Sequence, residues 1–194
     1  GGQDNCDSSG NSLHASVTGG SSIVNGKLSN ARGLNGTNQF LSVPDSNLLS
    51  FGNNTMTMEA WVKRNGLPAV GEYFILKGIT TWEYAAFVST TGQVAAYLFT
   101  SAGATVATVT SNIVITDNNW HHVAITSNGL MISIYIDGVL DNNSNTFSSS
   151  MTNTAATLYF GDRSDVANTE FEGSVDEIRL SNIARSSEEI KANA

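Results

Sequence analysis

The stretch Met56-Thr57-Met58-Glu59-Ala60-Trp61-Val62-Lys63 alternates without a break. Successive strand side chains project to opposite sides. Met56, Met58, Ala60 and Val62 therefore share one face, and Thr57, Glu59, Trp61 and Lys63 share the other. One face is apolar and the other mixed, as expected of a strand with a core on one side only.

The same grammar extends in both directions. Strand-like runs follow at Glu72–Lys77, Tyr84–Ser89, Gln93–Thr100, Ala104–Val109, His121–Thr126 and Met131–Ile136, and later at Thr157–Phe160 and Gly173–Leu180. Gly, Asn, Asp and Ser punctuate them. Asp137-Gly138 between Met131–Ile136 and Val139–Leu140 is a two-residue hairpin signal, since such turns need positive φ. Ser186-Ser187-Glu188-Glu189 before Ile190 predicts one short C-terminal helix, with a serine cap and acids in its first turn. Many short strands with polar turns leave little room for parallel βαβ units, so two antiparallel sheets packed face to face are expected.

Composition bounds the partners. A chain of 194 residues can bury one substantial core, and a single domain over 1–194 is expected. The formal charge of −8 and the lack of any basic run argue against nucleic acid. Nothing approaches the roughly 18 apolar residues that a membrane-crossing helix needs. Charged residues make up only 13 %, so the polar surface is Asn, Ser, Thr and Gly, which fits work outside the cell. The only cysteine, Cys6, excludes an internal disulfide and a thiolate metal centre. The start, Gly1-Gly2-Gln3-Asp4-Asn5, lacks the regions of a signal peptide.

Four segments, in order, resemble the LamG-like branch of the concanavalin A-like lectin/glucanase superfamily. They are Ala31-Arg32-Gly33-Leu34-Asn35-Gly36 through Phe40-Leu41-Ser42-Val43-Pro44-Asp45-Ser46, then Met58-Glu59-Ala60-Trp61-Val62-Lys63, then Asn119-Trp120-His121-His122-Val123-Ala124 with Tyr135-Ile136-Asp137-Gly138, and finally Tyr159-Phe160-Gly161-Asp162 with Phe171-Glu172-Gly173-Ser174-Val175-Asp176-Glu177-Ile178-Arg179-Leu180. The resemblance implies an all-β, two-sheet antiparallel jelly-roll sandwich and a secreted or cell-surface module of a larger protein. In the family a further strand precedes the segment similar to Asp7-Ser8-Ser9-Gly10-Asn11. Here only six residues precede Asp7, so that strand is expected to be missing, donated from elsewhere or replaced, which leaves a neighbouring edge available to another segment.

The resemblance also implies a structural calcium ion, held by Asp176 and the Gly36 carbonyl, with Asp7 or Asp4 completing the shell. The alternative reading makes Asp176-Glu177 a solvated strand end and Asp7 an Asx-turn. Trp61 and Trp120 match family positions and read as packing residues. Trp82 lies between two strand runs among small and polar residues, and reads as an exposed sugar platform or as a loop residue capping the core. With Tyr84, Asp162 and Arg163 it forms the candidate ligand rim. His121 and His122 point to opposite faces of a strand and so do not converge on an ion. Glycoside hydrolysis needs two facing carboxylates, and the central strand offers only Glu59. A non-catalytic module recognising a glycan or a cell-surface protein is expected. The alternative is an assembly module that contacts neighbouring domains of the same polypeptide, with a polysaccharide hydrolase ranked third.

Overall fold

The computed structural model describes residues 5–100, 104–144, 150–162, 166 and 168–194. Its strands are β1 (Ser16–Thr18), β2 (Ser22–Asn25), β3 (Asn30–Asn35), β4 (Phe40–Val43), β5 (Thr55–Asn65), β6 (Glu72–Gly78) and β7 (Trp82–Val88). They continue with β8 (Gln93–Phe99), β9 (Thr105–Val114), β10 (Asp117–Asn128), β11 (Ile132–Ile136), β12 (Val139–Ser144), β13 (Leu158–Phe160) and β14 (Glu172–Ser181), before helix α1 (Ser187–Asn193). Two seven-stranded sheets result, the first ordered β1-β4-β13-β6-β7-β8-β9 and the second β12-β11-β10-β5-β14-β3-β2. Every strand pairing in them is antiparallel. The chain is a jelly-roll sandwich.

The alternation in β5 has the expected effect. Met58, Ala60 and Val62 enter the core between the sheets, together with Val123 and Ile125 of β10 and Val175 of β14. Glu59 and Trp61 lie on the outer face of the second sheet, where Trp61 pairs with His122 and Glu59 sits between Ala124 and Arg179. Asp137 and Gly138 turn β11 into β12 with φ of 52° and 78°, as their sequence predicts.

Strands β1 and β2 were not legible as strands. Every residue of β1 is exposed and β2 is nearly so, so neither carries an apolar face for a period-2 pattern to display. At one side the sheets are stitched together. Asp141 of β12 accepts from the Asn112 and Ile113 amides of β9, and Asn142 Nδ2 donates to Thr110 O at 2.8 Å. The opposite side, between β4–β13 and β3–β14, stands open.

Candidate ligand-recognition site

Of the four residues expected around calcium, the three described ones, Asp176, Gly36 and Asp7, do not make one shell. Asp176 is buried, and both its oxygens are occupied by backbone donors. Oδ2 accepts from the Lys27 and Leu28 amides at 2.8 and 3.1 Å, and Oδ1 from the Glu177 amide at 2.9 Å. The carboxylate thus caps the turn between β2 and β3. A side chain at Gly26 would start 2.4 Å from Oδ2, so only glycine admits this approach.

Gly36 lies beyond Asn35, which pairs with Glu172, whereas Asp176 is four residues farther along β14. At about 3.3 Å per residue that is roughly 13 Å, against calcium–oxygen distances of about 2.4 Å. Asp7 forms an Asx-turn, its oxygens accepting from the Ser9 amide at 2.8 Å and the Leu13 amide at 2.9 Å, and hydrogen bonds from the Ser9 side chain first and then from these amides lower its pKa. Asp4 lies outside the described residues. No group of three or more His, Cys, Asp or Glu is placed to hold a metal among the described residues. Among the described residues the donor set does not fit the ion.

Asp7 and Asp176 instead flank a groove of about 860 Å³ on the open side of the sandwich. The half-buried apolar residues at the margin of the main core (Leu13, Ala15, Phe160, Ile178 and Leu180) all line it. Beside it, β3 pairs with β14 only as far as Val175, so the edge of Glu177–Ser181 facing away from β5 has no described strand beside it. Arg32 Nε, also on the groove wall, is buried without a hydrogen-bond partner. A backbone edge over an apolar floor suits an extended peptide, because strand addition supplies main-chain hydrogen bonds and alternate side-chain pockets.

The expected ligand rim is only partly assembled. Tyr84 is a correction: it is fully buried in the main core and its hydroxyl donates to Leu49 O at 2.9 Å. Its position in β7 pairs it with Lys77 and Leu98 and aims the ring between the sheets. Asp162, 3 % exposed, is buried rather than displayed on a rim. Arg163 lies outside the described residues. Trp82 opens β7 and is partly exposed.

Trp82 joins an aromatic group on the outer face of the first sheet, made by Tyr73, Phe87, Tyr97 and Phe99. Its ring meets Phe99 edge-on at 5.0 Å and Tyr73 at 6.2 Å. Tyr97 contacts Phe87 at 5.2 Å and Phe99 at 5.9 Å. Ala85 and Ala95 lie opposite Tyr97 and Phe87 in the register, leaving room for the rings to spread over the sheet. Trp82 and Tyr97 remain partly exposed and flank Phe99, which is 6 % exposed. Sequence reasoning found Trp82 but not this group, because its members are dispersed over three strands, β6, β7 and β8.

The adjacent histidines do face opposite ways. His121, opposite Val62, sits at the end of the sheet between Asp137 Oδ2 (2.9 Å) and Asp117 Oδ1 (3.0 Å). Burial alone would lower its pKa, but hydrogen bonds and charge from both aspartates outweigh it and raise it. His122 lies on the outer face, edge-on to Trp61 at 5.3 Å. Burial lowers its pKa against the opposing pull of Glu59.

No curated protein sequence matches the chain. In fold it is similar to the binding domain of Paraclostridial Mosquitocidal Protein 1, with a TM-score of 0.83 and 18 % identity over 100 % of this chain and 50 % of that one. It is also similar to domain 4 of AbnA, a GH43 extracellular arabinanase from Geobacillus stearothermophilus, in complex with arabinotriose. There the TM-score is 0.75 and the identity 21 %, over 97 % of this chain and 92 % of that one. The receptor binding domain of botulinum neurotoxin C/D mosaic serotype gives a TM-score of 0.79 and 15 % identity, over 97 % and 47 %. The chain thus spans about half the length of these toxin domains. The model of the Laminin_G_3 family, described as concanavalin A-like lectin/glucanases superfamily, matches residues 35–191. Its span takes in six strands of the first sheet and five of the second, β4 to β14, and the chain belongs to this superfamily.

Proposed function

We propose that this is a non-catalytic carbohydrate-recognition module that works outside the cell and holds its glycan on the outer face of the first sheet. The observation that carries the reading is the pair of partly exposed rings, Trp82 and Tyr97, on either side of Phe99. Aromatic faces held by a rigid sheet suit the C–H faces of sugar rings, at little cost in side-chain entropy. The arabinotriose complex and the receptor-binding domains of similar fold support a binding role. Among the described residues this face carries no pair of free carboxylates: the nearby Glu83 is fully buried and ion-paired to Lys77 at 2.8 Å. Calcium is not part of the reading, since the donor set does not fit it.

The test is retention on insoluble and soluble polysaccharides, arabinan among them. Trp82→Ala and Tyr97→Ala should each weaken binding about tenfold with the fold retained, in keeping with loss of one stacking contact. Retention unaffected by either substitution would remove the site. Release of reducing sugar by the wild-type protein would overturn the non-catalytic assignment.

The edge of Glu177–Ser181, which has no strand beside it among the described residues, favours a second reading, an assembly module whose groove takes an extended strand from a neighbouring segment or protein. Extending the protein upstream of Gly1 tests it. A marked rise in Tm would support strand addition, and an unchanged Tm would count against it.

A further inference from the structure

The outer face of the second sheet holds a cluster that the aromatic face does not use. Glu59 and Trp61 of β5, His122 of β10 and Arg179 of β14 line a cavity of about 160 Å³, closed on one side by Asn193 of α1. Glu59, 2 % exposed, is incompletely satisfied. Its Oε1 accepts from Asn193 Nδ2 at 2.9 Å and lies 3.7 Å from His122 Nε2. Its Oε2 faces Arg185 Nε at 3.2 Å and an Arg179 nitrogen at 4.0 Å, yet makes no hydrogen bond to either. His122, also 2 % exposed, has no partner for Nδ1.

Buried polar atoms are nearly always hydrogen-bonded, so two residues lining one cavity that each keep a buried polar atom without a hydrogen bond, Glu59 Oε2 (held by ion pairs alone) and His122 Nδ1, call for an explanation. They need a molecule that both donates and accepts hydrogen bonds. The volume is worth about five water molecules at ~30 Å³ each, which is the scale of one sugar ring or small polyol. Burial keeps His122 neutral near pH 7, so one ring nitrogen accepts and the other donates. The Arg179 side chain, 43 % exposed, is free to turn its guanidinium onto a ligand oxygen at the mouth.

We infer that this cavity is a second, separate binding site, for one neutral sugar residue or polyol whose adjacent hydroxyls meet Glu59 Oε2, His122 and Arg179. The Glu59 carboxylate accepts from a hydroxyl, and Arg179 donates to the neighbouring hydroxyl oxygen. Trp61 forms the wall, with Lys27 Nζ 3.9 Å above its ring, so an arriving ligand changes the surroundings of that indole.

The probes are L-arabinose, D-galactose and myo-inositol, titrated against the imidazole nitrogen resonances of His122 and against tryptophan fluorescence. At least one probe should shift the His122 signals saturably, with a Kd in about the millimolar range. Arg179→Ala, at an exposed position, should weaken that Kd about tenfold with Tm unchanged. Glu59→Gln should abolish the shift, with its fold verified separately by Tm. Trp82→Ala should leave the His122 titration as in wild type, which separates this site from the aromatic face. No saturable His122 shift with any probe would overturn the proposal, as would a shift that Arg179→Ala and Glu59→Gln both leave intact.

Discussion

Lys77 carries its ammonium where no solvent reaches. It reaches Asp45 at 2.7 Å, Glu83 at 2.8 Å, and the carbonyls of Thr154 and Ala156 at 3.2 and 2.9 Å. Glu83 in turn accepts from the amide and hydroxyl of Thr154 at 2.7 and 2.8 Å. These bonds moor the irregular segment before β13, and removing one partner strands the others. Lys77→Met is expected to cost about 3–5 kcal/mol in urea unfolding, because Glu83 would stay buried without its counter-charge. At the rim, hydrogen bonds from Asn119 hold Asp117 down to about 2, helped by His121. The stabilisation from this depressed carboxyl is present above its ordinary 3.8 and lost as pH falls towards about 2. His121 has the opposite sign: its raised pKa gives stabilisation that is complete below 6.5 and lost as pH climbs through the folded value. Thermal melts across pH should therefore show stability falling as pH rises past 6.5, and His121→Gln should erase that step.

At the scale of elements, two short pieces are held by side-chain caps rather than by buried area. Helix α1 has a full capping box. Ser186 Oγ accepts from the Glu189 amide at 3.3 Å, and Glu189 Oε2 accepts from the Ser186 amide at 2.8 Å. Ile190 is its buried anchor. Ser186→Ala should destabilise the protein by about 1 kcal/mol and speed amide exchange in the helix before the sheets open. The β2–β3 turn depends on Asp176 in the same way. Asp176→Ala removes an acceptor for backbone amides and is expected to cost about 2 kcal/mol, whether or not calcium is present.

For the whole molecule, the two sides of the sandwich differ. One side is closed by side-chain bridges between β9 and β12, and the other leaves apolar residues of both sheets at a groove. The face-to-face sheets form a rigid frame, and the candidate binding features lie on its outer surfaces and open side. Since the expected calcium ligands among the described residues do not converge, excess chelator should leave the wild-type Tm unchanged. A fall in Tm would put a cation back into the description.

The sequence by itself determined most of the strands that pack on the core, β3 and β4 excepted, together with the hairpin at Asp137-Gly138 and the capped C-terminal helix. Period-2 burial, positive-φ turns and serine caps are local properties, readable over a few residues. Exposed strands such as β1 left no such trace. Tertiary structure alone decided that Tyr84 serves the core, that Trp82 joins rings from other strands, and that Glu59 and His122 meet. Those meetings are set by strand order and register, which bring together residues far apart in the chain. The alternation of Met56–Lys63 announced that Glu59 and Trp61 would point away from the core. What they would face required the neighbouring strands β10 and β14 and the helix laid across them.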